Sequence, residues 1–156
     1  MILTRRDYEH VELSTGFTVD SEFSINCDAS FKEQKCVADI GIILYKNDEI
    51  IYQNTIRRSA TTSMQAELIA IRESIYILSK LDIEVKKINL FSDNKSCISF
   101  INRSRIKKAA YVKYGKNIKA IAKLCKDIDV AFNWIPREQN RNADALSKGK
   151  KIQQIH

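Results

Sequence analysis

A chain of 156 residues with no low-complexity break suits one domain, and at this length roughly two thirds of the unfolded surface is buried without help from disulfides or structural metal. The 26 Lys and Arg against 19 Asp and Glu give a net charge of +7 and a pI near 9.2, a balance that favours polyanions, nucleic acid before membrane. No 18-residue apolar run occurs, and the opening MILTRRDYEHVE carries charges where a signal peptide needs apolar residues, so a soluble, cytoplasmic protein without membrane contact is expected.

Residues 1–22 carry the weakest pattern. Val11 and Leu13, then Phe17 and Val19, flank Ser14-Thr15-Gly16, which suits a short hairpin or an extension. From Phe23 the signal sharpens: Phe23, Ile25 and Cys27 alternate with Ser24, Asn26 and Asp28, a strand whose polar face ends in an acid. Residues 38–45 and 49–54 read as two further strands, with Lys46-Asn47-Asp48 as the hairpin turn between them. Thr61, Thr62 and Ser63 offer caps for a long helix, in which Met64, Leu68, Ile71, Ile75 and Leu78 mark one face. Glu67 lies beside that stripe in the second turn, and Arg72 with Glu73 points to solvent.

The short apolar run 88–92 fits a buried parallel strand ending at Asp93, and residues 94–102 look helical. A basic connector follows, with Arg103, Arg105, Lys107, Lys108, Lys113 and Lys116. Another helix spans 112–126, with Ile118, Ala122 and Cys125 along one side. The cysteines Cys27, Cys36, Cys97 and Cys125 form no C-x-x-C pair, and His10 and His156 are the only histidines. Zinc is therefore not expected, and buried free thiols are.

The last legible stretch runs from Trp134 to Leu146. Val130, Phe132 and Trp134 alternate along a strand over 130–135, which Pro136, the chain's one proline, terminates. Asn142 is a good N-cap, which places Asp144 in the first turn of a helix running from Ala143. Residues 149–156 form a basic tail expected to fray. The order β-β-β-α-β-α-α-β-α implies an α/β fold, a mixed five-stranded sheet covered by helices, over residues 23–148.

Four acids share one description: Asp28 ends a strand, Glu67 is in an early helical turn, Asp93 ends a strand where a helix begins, and Asp144 opens the last helix. Sites in open α/β sheets gather at the carboxyl ends of strands. Four carboxylates meeting there would raise one another's pKa unless cations joined them. Carboxylate and water ligands suit Mg²⁺ or Mn²⁺, and a pair of such ions about 3.5–4 Å apart serves phosphodiester hydrolysis. Taken singly, each acid is equally compatible with a solvated or capping role.

Asp28-Ala29-Ser30, Ser63-Met64-Gln65-Ala66-Glu67-Leu68-Ile69-Ala70, Phe91-Ser92-Asp93-Asn94-Lys95 and the stretch from Trp134 to Leu146 together resemble ribonuclease H type 1. The motifs occur in the family's order, and the last resembles the plant- and bacterial-type ending W-[IV]-P-R-E-x-N-x-x-A-D. The resemblance implies an RNase H-like fold and an endonuclease that hydrolyses the RNA strand of RNA/DNA hybrids, leaving 3′-hydroxyl and 5′-phosphate ends; a monomer is expected because the sequence shows no exposed apolar repeat. It implies two Mg²⁺ ions per site, with Mn²⁺ as a substitute. Asp28, Glu67, Asp93 and Asp144 match the catalytic, metal-binding carboxylates, with Asp28 bridging both ions, Glu67 and Asp93 to one side and Asp144 to the other. Substrate contacts are implied at Ala29, Ser30, Thr62 (to a DNA-strand phosphate), Ser63, Gln65, Asn94, Arg137 and Asn140.

Two features depart from the family. Glu138 stands where better-studied relatives carry an auxiliary histidine, in a shorter loop. The tryptophan-rich basic handle is missing, so the connector 103–116 is the expected replacement for part of the phosphate grip. The alternative is a non-catalytic nucleic-acid-binding module of the same fold, against which the intact acid set argues. A 3′–5′ exonuclease of this fold would carry D-x-E on the first strand, where this chain has Ser30.

Overall fold

The computed structural model describes residues 15–106 and 115–152, and of residues 104–106 the backbone alone. The alternation that begins at Phe23 persists through strand β1 (Phe23–Lys32), because β2 (Val37–Lys46) pairs antiparallel with it along its whole length. A single 3₁₀ turn, Glu33–Lys35, joins the two. β3 (Glu49–Ser59) returns antiparallel to β2. The turn between them places Asn47 and Asp48 at φ 49° and 65°, a left-handed pair that Asn and Asp tolerate better than most residues. β3 runs five residues beyond its expected end at Asn54, since Thr55 to Ser59 keep their β2 partners.

The chain then alternates helix and strand: α1 (Ser63–Lys80), β4 (Lys87–Ser92), α2 (Lys95–Ile106), α3 (Gly115–Leu124), β5 (Asp129–Trp134) and α4 (Arg141–Ser147). β4 lies parallel to β1 and β5 parallel to β4, giving the sheet order β3-β2-β1-β4-β5 with β1 at its centre. This is the mixed five-stranded sheet anticipated from the element order. Ile135 N–H still donates to Ser92 O at 3.0 Å, and Pro136, unable to donate, follows at once.

The main core fills one face of the sheet. Ile25 and Cys27 of β1, Ile40, Ile42 and Leu44 of β2, Ile88 and Leu90 of β4, and Val130 and Phe132 of β5 pack against α1, α2 and α3. α4 covers part of the opposite face, where Ala143 and Leu146 sit on Ile43. Gly41 makes that approach possible: a Cβ there would lie 2.3 Å from Ala143 O and 2.7 Å from Ser147 N.

Several local expectations are corrected. Glu73 does not point to solvent; it is 7% exposed and its Oε1 accepts from Arg58 Nε at 3.0 Å and Arg72 at 3.2 Å, so the stripe of α1 buries an ion-paired acid. Among the thiols, Cys36 is exposed, at φ 51° after the 3₁₀ turn, and Cys125 is half-buried. α3 begins at Gly115 within the described residues and ends at Leu124; most of the basic connector, and residues 11–14 of the hairpin proposed for residues 11–19, lie outside the described residues. Phe17 to Val19 have irregular backbone, and Asn89 holds Val19 through both its amide groups at 2.8 Å. At the other end, residues 149–152 are tied back rather than frayed. Gly149, at φ 75°, closes α4 with its N–H on Leu146 O and Lys150 N–H on Ala145 O at 2.9 Å, a Schellman cap. Ile152 then packs on the α4 cluster, and residues 153–156 lie outside the description.

Candidate active site

The parallel register of β1 with β4 stops at Asn26↔Phe91, while β1 continues with β2 to Lys32. Asp28 is therefore inside β1 rather than at its end, as the sequence had suggested. It still lies at the carboxyl edge of the parallel pair, because β4 turns away at Ser92. Asp93 follows β4 directly, and Asn94 caps α2, its Oδ1 accepting from Cys97 N–H at 2.9 Å. α1 enters from the side: Thr62 caps it by accepting from Gln65 N–H at 3.0 Å, and one turn later Glu67 faces the same edge. Carboxylate oxygens of Asp28, Glu67 and Asp93 lie within 4.8 Å of one another.

Asp144 completes the group from the opposite face. Asp28 pairs with Gly41 across β1 and β2, so α4, seated on Gly41, carries Asp144 to hydrogen-bonding reach of Asp28. The α4 start differs from expectation. Asn140 occupies the cap position without a side-chain cap bond, while Asn142 is exposed within the helix.

These acids, with Ala29, Ser30, Arg137 and Lys148, line a cavity of about 380 Å³. Burial and the neighbouring Asp93 push the Asp28 carboxyl up to about 7. Burial, then Asp28 and Asp93, push Glu67 up to about 9. Burial also raises Asp93, although Asn140 and Arg137 oppose the shift. Asp144 goes the other way: partial burial is outweighed by the hydrogen bonds of Lys148 and Asp28, and its carboxyl falls below the ordinary range. Glu67 Oε2 is buried without a hydrogen-bond partner, the one side-chain atom in that condition among the described residues. A buried, partnerless oxygen among crowded carboxyls fits a hard divalent cation, which Asp28, Glu67 and Asp93 could hold with Asp144 alongside.

Several residues build this geometry in ways the sequence did not indicate. Trp134 Nε1 donates to Asp93 O at 3.1 Å. Lys148 Nζ pairs with Asp144 Oδ2 at 3.1 Å; its place four residues after Asp144 was the available signal. Gly41, alone inside a strand pattern, was the signal for close backbone approach. Asn140, expected to touch substrate, is 1% exposed and donates to Cys27 O at 3.0 Å while accepting from Asn26 Nδ2 at 3.1 Å. It is a strut between β1 and the last motif.

Of the other expected contacts, Ala29, Ser30 and Arg137 line the cavity. Thr62 and Ser63 are exposed at the start of α1, and Gln65 Oε1 accepts from Thr61 N–H at 2.6 Å. Glu138 is exposed in the 3₁₀ turn Arg137–Gln139, outside the cavity lining.

The reverse transcriptase-like family model matches residues 26–149. No curated protein sequence matches the chain. Solved structures match its fold. LC11-RNase H1, from a compost metagenome, solved with an RNA/DNA hybrid, superposes at TM-score 0.69 with 17% identity, covering 82% of this chain and 95% of its own. The N-terminal RNase H domain of a Mycobacterium tuberculosis protein gives 0.68 with 18% identity, over 83% and 93%. RNase H1 of Halobacterium salinarum gives 0.64 with 18%, over 81% and 94%. No helix among the described residues is long and apolar enough to cross a membrane. With the family model covering all four acids, the chain belongs to the reverse transcriptase-like family, and the solved structures show that its fold is that of the RNase H enzymes.

Proposed function

We propose that this chain is a divalent-metal-dependent endonuclease that hydrolyses the RNA strand of RNA/DNA hybrids, leaving 3′-hydroxyl and 5′-phosphate ends. The observation that carries the reading is Glu67 Oε2, buried and partnerless among the carboxylates of Asp28 and Asp93. The hybrid bound to the LC11-RNase H1 structure supports the choice of substrate. Hydrolysis of a phosphodiester requires an in-line water and neutralisation of the leaving oxygen, which a pair of Mg²⁺ or Mn²⁺ ions at such a cluster provides.

The chain's own residues do the positioning. Asp28 has Glu67, Asp93 and Asp144 all as close neighbours, so one strand residue touches the whole cluster. Trp134 and Asn140 hold Asp93 by its backbone and side chain. Ala29 N–H donates to Asp28 Oδ1 at 3.0 Å, which orients that carboxylate. Arg137 and Lys148 bring positive charge to the cavity rim, where a scissile phosphate adds negative charge. Ala29 and Ser30 present backbone and hydroxyl groups to the wide minor groove, where 2′-hydroxyls mark the RNA strand. Exposed Thr62 is set to meet a DNA-strand phosphate, and exposed Ser63 to join the 2′-hydroxyl contacts.

The test is cleavage of a hybrid end-labelled on each strand, in Mg²⁺, in Mn²⁺ and in EDTA, with double-stranded RNA and DNA as controls. RNA-strand cuts that need metal and vanish in Asp93→Asn are expected. Tight hybrid binding without cleavage in either metal would instead make the chain a binding module.

A further inference from the structure

Lys95 is an unusual residue for its position. It lies in the first turn of α2, a turn without any acidic residue, where the helix dipole disfavours a cation. Its ammonium sits 5.1 Å from the centroid of the Trp134 ring, a cation–π contact that offsets that penalty. Trp134 is in turn fixed by its indole N–H on Asp93 O. No ion pair among the described residues includes Lys95. Lys95, two residues from Asp93, therefore rests on the indole instead of pairing with that acid, and it remains exposed. The Asn94 side chain already satisfies the Cys97 N–H of this helix start, so the feature to explain is the ammonium itself.

We infer that Lys95, parked on Trp134 beside the acid cavity, is a phosphate contact for the nucleic-acid backbone at the cavity rim. The inference rests on the ribonuclease H reading and deepens it. The ammonium rests on the ring whose N–H is fixed on the backbone of Asp93, a residue of the cavity lining. A backbone phosphate supplies the anionic partner that no described residue does.

The test uses the full chain with Asp28→Asn to stop turnover. A short fluorescein-labelled RNA/DNA hybrid is titrated in Mg²⁺ over a series of salt concentrations. Lys95→Met keeps the apolar stem and removes the charge. It is expected to weaken binding on the order of tenfold at low salt and to lower the salt slope by about one. Lys95→Arg should restore both. Trp134 is the only tryptophan of the chain, so its emission reports the contact directly. Hybrid should change the emission of the Asp28→Asn protein, and Lys95→Met should remove that change. If the Asp28→Asn protein binds hybrid and Lys95→Met leaves the slope and the emission response intact, the Lys95 role is refuted and the nuclease reading stands. If that protein does not bind hybrid at all, both readings fall.

Discussion

Gly41→Ala is the substitution through which the packing of α4 can be tested against the geometry of the acids. The added Cβ would lie 2.3 Å from Ala143 O, 2.7 Å from Ser147 N and 2.8 Å from Leu146 Cβ, where ordinary contact begins near 3.4 Å. Two of these neighbours are backbone, so the helix must move as a body. The difference of 3.4 and 2.3 Å sets the retreat at about 1 Å. Asp144 follows Ala143 directly and moves with it, away from Asp28, which is paired with Gly41 on the next strand. A 1 Å misplacement of a reacting group costs about 10²-fold, so kcat should fall by roughly that factor while the KM for hybrid changes little. Overpacking should also cost about 1–3 kcal/mol of stability. Ile43→Val, under the same helix but without the steric push, costs about 0.5–1.5 kcal/mol and is the control for destabilisation alone. Steady-state cleavage and thermal melts of the two variants separate the effects. A folded Gly41→Ala protein cutting hybrid within about twofold of the parent would refute the claim that this contact sets the position of Asp144.

Three further outcomes follow from the site and its supports. Burial and the neighbouring acids raise Glu67 to about 9 in the folded chain, so without metal the folded state holds a proton that the unfolded state releases above its ordinary value. Stability of the metal-free protein then falls as pH rises from about 4.5 toward about 9. In EDTA at pH 8, Glu67→Gln should melt several degrees above the parent, at about 2–4 °C per kcal/mol for a chain this size, and the gap should close at pH 4; an equal gap at both values would contradict this. Asn140→Ala should cost about 1–3 kcal/mol, because Cys27 O loses its buried donor; a melt within 1 °C or so of the parent would remove Asn140 from the role of strut. A chain beginning at Glu22 loses both Val19–Asn89 bonds and should be about 1–3 kcal/mol less stable than one beginning at Thr15; equal melting would mean that residues 15–21 contribute nothing to the domain.

What the sequence made legible was what local periodicity and motif spacing carry. The alternation in β1 and the helical stripe of α1 came through because one face of each is buried in the same core. The four acids were legible as a set because each belongs to a short motif and the motifs occur in one order along the chain. What was not legible depends on distances between remote segments. Asn140 meets Cys27 across a sequence separation of 113 and Val19 meets Asn89 across 70, and nothing local distinguishes such an amide from a solvated one. Glu73 was misplaced for the same reason, since its partner Arg58 lies on another element. Asp28 was assigned to a strand end because the alternation there reads as finished, whereas pairing with β2 carries β1 on to Lys32.

The most direct measurement of the central claim is a crystal of the protein grown in Mn²⁺, with diffraction recorded at the manganese absorption edge. The account predicts an anomalous peak among the carboxylates of Asp28, Glu67 and Asp93, coordinated by Glu67 Oε2 and lost in Asp93→Asn. Full manganese occupancy elsewhere on the molecule, with Glu67 Oε2 still buried and unliganded, would contradict it.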